Sequence, residues 1–353
     1  NTSAWSACSA ACGGGQQTRS VFCQTTTGIA ADTLCTAAKP ALTQSCNTQS
    51  CPATYKDVTQ EVYVDPSMSQ LDILLVLDDS SSMIEDNTKL AGRLGGFVSQ
   101  LQNVNIDWQM CVTTTDTSYY EGRPIKWSNT NSHILTKSAG YLPAIFQQTI
   151  SDIGSGYSND EQGIKATVLA ILNDTNSHCM RSGAATAVII ISDEDERSVG
   201  GVYQLSSAQY KELEPQNYPS HLLNVVKNQL SFQNTIPKFK VNSIVVKDNV
   251  CEKIQDSQGT PSFIGTKYME LANMTAGPIT SICETDYSTS LQYFKQDLEK
   301  TVSSVSLSCS PLNGTVTTDL GNTTQIKLEG NQLIFIPALN LGTKVNVKYR
   351  CGI

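Results

Sequence analysis

No stretch of about 18 apolar residues runs through the 353-residue chain, which removes a transmembrane helix from the possibilities. The longest apolar runs, Ile73–Leu77 and Ala187–Ile191, are only strand-sized. A basic excess is missing too: 24 Lys and Arg stand against 32 Asp and Glu, for a net charge of −8 and a pI near 5.0. Nucleic acid therefore has no general basic surface to bind. Histidine is scarce, and His133, His178 and His221 are isolated from one another, so zinc sites built from Cys/His pairs lack their partners. HExxH and GxSxG are absent, and no phosphate-cradling glycine run follows a strand. These gaps point away from an enzyme. No signal peptide is visible, and a start at Asn1 without Met reads as a mature or trimmed chain.

Cysteine is what the sequence has in quantity. Cys8, Cys12, Cys23, Cys35, Cys46 and Cys51 crowd the first 51 residues, while Cys111, Cys179, Cys251, Cys283, Cys309 and Cys351 are dispersed. An even count with one dense cluster implies disulfides, an oxidising compartment, and a secreted or cell-surface protein. The length implies two or three domains.

Residues 1–52 are rich in Thr, Ser, Ala, Gly and Cys and cannot build a conventional core, so they need staples. Residues 4–23 read AWSACSAACGGGQQTRSVFC, with Cys35, Cys46 and Cys51 to follow. This pattern resembles a thrombospondin type 1 repeat. The resemblance implies the pairs Cys8–Cys46, Cys12–Cys51 and Cys23–Cys35, and Trp5 stacked against Arg19. A single Trp and Val21 in place of a second stacking Arg favour a stiff spacer over a glycan-binding groove.

Residues 53–66 read as a linker. Beyond them, strands expected at Leu71–Leu77, Asp107–Thr115, Ala187–Ser192 and Val241–Val246 alternate with helices at Lys89–Leu101, Leu142–Ile150, Glu161–Leu172, Tyr268–Asn273 and Leu291–Val302. A hairpin-like stretch is expected through Ile125–Leu135. Such interleaving means an α/β doubly wound, mostly parallel sheet over residues 67–303. Residues 304–353 carry four short strand candidates separated by glycine turns, and read as a small β-module closed by Cys309–Cys351.

In open α/β sheets, ligands bind beyond the carboxyl ends of the strands. Asp78-Asp79-Ser80-Ser81-Ser82 follows the first strand and Ser192-Asp193-Glu194-Asp195-Glu196 follows the third. Both loops offer hard oxygen, which suits Mg²⁺, with Mn²⁺ or Ca²⁺ as alternatives. Of the second run only Asp193 is assigned a site role, and the rest reads in part as a solvated loop.

Asp78-x-Ser80-x-Ser82 after an apolar strand resembles the metal-ion-dependent adhesion site of von Willebrand factor A domains, in a form closer to bacterial members. The resemblance implies ligands Asp78, Ser80 and Ser82, Asp193 after a later strand, and a second-loop hydroxyl at Ser158, with Ser155 as the fallback. It also implies an extracellular adhesin whose cation takes a carboxylate from a protein or glycan partner on a cell or matrix surface. A component of a surface fibre or pilus, with the metal only stabilising the domain, is the alternative. Cys251 and Cys283 should pair, since both follow or sit on neighbouring strands at one sheet edge. Cys111–Cys179 follows by elimination.

Overall fold

The computed structural model describes residues 1–353 except 52–54, 104–105, 154–159, 175–177, 199–211, 232–237, 259–260, 285–287, 313, 322–323 and 353. The chain divides into two compact units, Asn1–Val58 with Arg350–Ile353, and Thr59–Tyr349.

The first unit has four short strands, β1 (Gly15–Thr18), β2 (Cys23–Thr25), β3 (Gly28–Ala30) and β4 (Thr43–Cys46). β1 pairs antiparallel with β4, and β2 with β3. Among its described hydrophobic residues Cys23 alone is buried, so apolar burial supplies little. Disulfides Cys8–Cys46, Cys12–Cys51 and Cys23–Cys35 supply the constraint instead, by limiting the unfolded chain. The Arg19 guanidinium lies 4.2 Å from the centre of the Trp5 ring. Gly15 is required sterically, because a Cβ there would sit 2.6 Å from Cys8 Sγ.

Where a linker was expected over 53–66, the chain forms strand β5 (Tyr55–Tyr63). Val62 and Val64 point to one side and are buried. The intervening polar residues hid this alternation in the sequence. The α/β layers follow as β6 (Gln70–Leu77), α1 (Ile84–Gln102), β7 (Asp107–Thr114), β8 (Leu135–Thr136), α2 (Leu142–Ile153) and α3 (Gly163–Leu172). They continue as β9 (Ala185–Ser192), α4 (Pro219–Gln229), β10 (Phe239–Val245), α5 (Asn249–Asp256), α6 (Thr266–Met274), β11 (Ile279–Ser281) and α7 (Ser288–Ser303). One sheet of order β11-β10-β9-β6-β7-β8 results, with the first five strands parallel and β8 antiparallel to β7.

Both faces of this sheet are covered, which explains the unbroken apolar runs. Leu71, Ile73, Leu75 and Leu77 of β6 face α1, α2 and α7, packing with Phe97, Phe146 and Phe294. Leu74 and Val76 face α3, α4 and α6, packing with Ile164, Leu222 and Leu271. Of the expected hairpin over Ile125–Leu135 only β8 pairs, at Met110 and Leu135. Buried Trp127 occupies the remainder and donates to Met110 O at 3.2 Å. Helices α4 and α5, absent from the sequence reading, begin at Pro219 and at the Asp248 cap; the Asp248 side chain accepts from Val250 and Cys251 N–H.

The strands β12 (Ser304–Ser306), β13 (Thr317–Thr318), β14 (Gln325–Glu329), β15 (Gln332–Ile336) and β16 (Lys344–Gly352) complete the chain. They form sheets of order β12-β15-β14 and β13-β16-β5. The expected separate module over 304–353 is instead, as far as Tyr349, part of the same compact unit as the α/β layers. Lys300 of α7 pairs with Glu329 of β14, and Gln60 donates to Ser306 O at 3.1 Å. Cys111–Cys179 and Cys251–Cys283 are bonded as expected, and Cys309 and Cys351 are disulfide-bonded too.

Candidate metal centre

The chain leaves β6 for β7 on one side and later adds β9 on the other side of β6. The carboxyl ends of β6 and β9 thus flank the point where the winding reverses, the usual crevice for a ligand. Asp78 follows β6 directly, and its N–H donates to Ile191 O of β9 at 2.9 Å. Asp193 follows Ser192, the last residue of β9.

Hydrogen bonds tie these loops together. Ser192 Oγ donates to Asp78 Oδ2 at 2.5 Å, and Ser80 N–H donates to Asp78 Oδ1 at 2.8 Å. Ser80 and Ser82 hydroxyls are 2.8 Å apart, and Ser82 Oγ donates to Asp193 Oδ1 at 3.1 Å. Asn87 of α1 donates to Asp78 O at 3.1 Å and so anchors the helix start to the loop. Asp78, Ser80, Ser82 and Asp193 are therefore brought together. Ser158 and Ser155 lie outside the described residues.

Burial disfavours charge on the carboxylates gathered here. Asp78, Asp79, Glu161 and Asp193 are buried. Burial pushes Asp78 above the usual carboxylate range, and pushes Asp193 well above it with help from the charges of Asp78 and Glu194. Asp79 is raised to about 7 by burial and by Asp78 and Asp116. Asp79 Oδ1 and both Glu161 oxygens accept no hydrogen bond, although they are shielded from water. Orphaned buried acceptors of this kind are costly, and a hard cation is one of the few groups that satisfies several at once. The donor set of carboxylates and hydroxyls fits Mg²⁺, Mn²⁺ or Ca²⁺. Among the described residues no three Asp, Glu, His or Cys side chains come close enough together to hold a metal ion, so a cation here would rest on two carboxylates and the two serine hydroxyls.

The acidic run after β9 is not a solvated loop, contrary to the expectation for Asp195 and Glu196. Asp195 Oδ1 accepts from Lys267 N–H at 2.8 Å, at the start of α6. Glu196 accepts from Ile164 and Lys165 N–H, at the start of α3, and from Asn217 Nδ2 at 2.5 Å. Both side chains are fully buried and satisfy helix N-termini. Sequence reasoning also missed Glu161, Ser192 and Asn87. A carboxylate two residues before Gly163, where α3 begins, was the one visible signal for Glu161.

Residues 1–51 match the family model of the thrombospondin type 1 domain. No curated relative matches the chain by sequence. Similar solved structures include a von Willebrand factor type A protein from Catenulispora acidiphila, at 10% identity and a TM-score of 0.38, covering 84% of this chain and 65% of that one. The pilus adhesin SpaC from Lactobacillus rhamnosus GG is similar at 10% identity and a TM-score of 0.36, over 84% of this chain and 41% of that one. The human COPII-coat protein Sec24c is similar at 10% identity and a TM-score of 0.38, over 82% and 41%. The chain thus spans under two thirds of the length of each of these proteins.

Proposed function

We propose that the chain is an extracellular adhesin that binds without turnover, using a divalent cation at the β6–β9 edge to capture an acidic group of a partner. The observation that carries this reading is the convergence of Asp78, Ser80, Ser82 and Asp193 at the switch point, beside buried carboxylate oxygens that have no donor. The disulfide-bonded cysteines and the thrombospondin type 1 match point to an extracellular or secreted protein.

Asp78, Ser80, Ser82 and Asp193 would hold the cation. Once bound, it supplies an electrophilic point that a partner's Asp or Glu can ligate in exchange for water. The chain's own residues position that point. Ser192 and the Ser80 N–H fix both oxygens of Asp78, and Ser82 orients Asp193. The burial of both carboxylates favours a second reading, in which the ion stabilises the domain of a surface-fibre component. Surface binding and melting temperature measured with and without chelator separate the two. Loss of binding on chelation supports the adhesin, whereas unchanged binding with lowered stability supports the fibre component.

A further inference from the structure

We infer that the outward face of α5 docks a protein partner, through an acidic amphipathic segment that sets apolar side chains between carboxylates. This surface lies beyond the cation reading and uses none of its ligands.

α5 is turned the wrong way for a helix that only closes a fold. Val250 and Ile254 stand one turn apart, 69% and 47% exposed. Glu252 and Gln255, both polar, are buried on the other side together with Cys251. A surface helix ordinarily does the reverse, hiding its apolar stripe and wetting its polar one. Departures from a local rule are expected where a surface is kept for function.

The rotation of the helix is held on several sides. Asp248 caps the first turn, accepting from Val250 and Cys251 N–H at 3.0 and 2.9 Å. The Cys251–Cys283 disulfide ties the buried side to the segment after β11. Ser262 Oγ donates to Glu252 O at 3.2 Å, and Ser262 N–H donates to Asp256 Oδ1 at 2.8 Å. Phe263, the next residue, donates its N–H to Asp193 O at 3.0 Å, so this surface adjoins the loop after β9. A surface already fixed loses little freedom when a partner docks.

Charge decides the occupant. Lys247 and Lys253 lie on either side of Val250 in sequence and are exposed, and among the described residues neither forms an ion pair. The neighbouring acids Asp248 and Asp256 are spent on N–H donors. Two unanswered cations beside an apolar stripe complement carboxylates beside an apolar side chain. A second copy docked symmetrically through the same face would set lysine against lysine. A lipid surface would gain two aliphatic side chains, too little apolar area for an anchor.

The test uses the full chain in EDTA, so that its result is independent of any cation. The probe is a fluorescein-labelled synthetic helix with Leu at i, i+3, i+4 and i+7 among Glu residues, followed by anisotropy. Wild type should bind it saturably, and the double variant Val250→Ser, Ile254→Ser should bind roughly tenfold more weakly or worse. That variant should melt as wild type does, because both side chains are exposed. Equal affinity, or a melting point lowered by several degrees, overturns the inference. Lys253→Glu changes only an exposed charge and keeps the test alive should the double variant fail to fold. Weaker binding with a shallower salt dependence supports the inference, and unchanged binding overturns it. Wild type that ignores the probe overturns it too, whether the chain then sediments with phosphatidylserine vesicles, dimerises, or does neither.

Discussion

The two units solve the problem of stability by opposite means. Asn1–Val58 buries no described hydrophobic side chain besides Cys23 and is fastened by three disulfides within its first 51 residues. Thr59–Tyr349 buries apolar side chains against both faces of a sheet and gathers Asp78, Asp79 and Asp193, all buried, beyond the ends of β6 and β9. Staples constrain the unfolded state and are indifferent to pH and cations. The second unit also carries Cys111–Cys179 and Cys251–Cys283, but its packed core does not rest on them alone, and its buried acidic edge makes it sensitive to protons. The comparison teaches which perturbation each unit should feel.

The largest effect should come from reduction. Removing a native disulfide from a small secreted domain costs about 2–5 kcal/mol, so reducing all three should unfold the first unit outright. Trypsin should then cut at Arg19 while the sheet survives. Protection of Arg19 in the reduced protein would break the comparison. Next in size is Ile190→Ala, which empties a fully buried position of β9. It should destabilise the sheet by about 2–5 kcal/mol, read as a lowered urea midpoint, with Arg19 cleavage unchanged.

A smaller effect concerns pH. Burial raises Glu196 from the ordinary 4.5 to about 8, against the hydrogen bond from Asn217 and those from Ile164 and Lys165. The folded state therefore holds this proton more tightly than the unfolded chain does. The stability it contributes is complete below the unfolded value and is lost as pH rises through about 8. In EDTA, urea midpoints should fall between about pH 5 and pH 8, and Glu196→Gln should flatten that slope. An unchanged slope would remove Glu196 from the account.

Much of this was legible in the sequence, for reasons that differ by region. Cysteine spacing gave the staples of residues 1–51 through a family resemblance, because disulfide frameworks leave little freedom in a short loop-rich chain. Ile73–Leu77 and Ala187–Ile191 read as buried strands, since both of their faces are covered. The two loops that carry Asp78 and Asp193 followed from the rule that sites lie beyond strand ends, whereas the choice of Asp78, Ser80, Ser82 and Asp193 within them came from the family resemblance. β5 was illegible because its inward valines are diluted by Thr59, Gln60 and Glu61. Glu161 and Glu196 are both acids near the start of α3, yet one is satisfied and the other is not. That distinction depends on which donors the fold aims at each, and no local pattern encodes it.

The central claim is that the β6–β9 edge holds a divalent cation through Asp193. Calorimetric titration of Asp193→Ala with CaCl₂ and MgCl₂, beside wild type, tests it most directly. The account predicts saturable binding to wild type and none to the variant, with the fold retained, because the backbone carbonyl of residue 193 still accepts from Phe263 N–H. Cation binding to Asp193→Ala at wild-type affinity would contradict it.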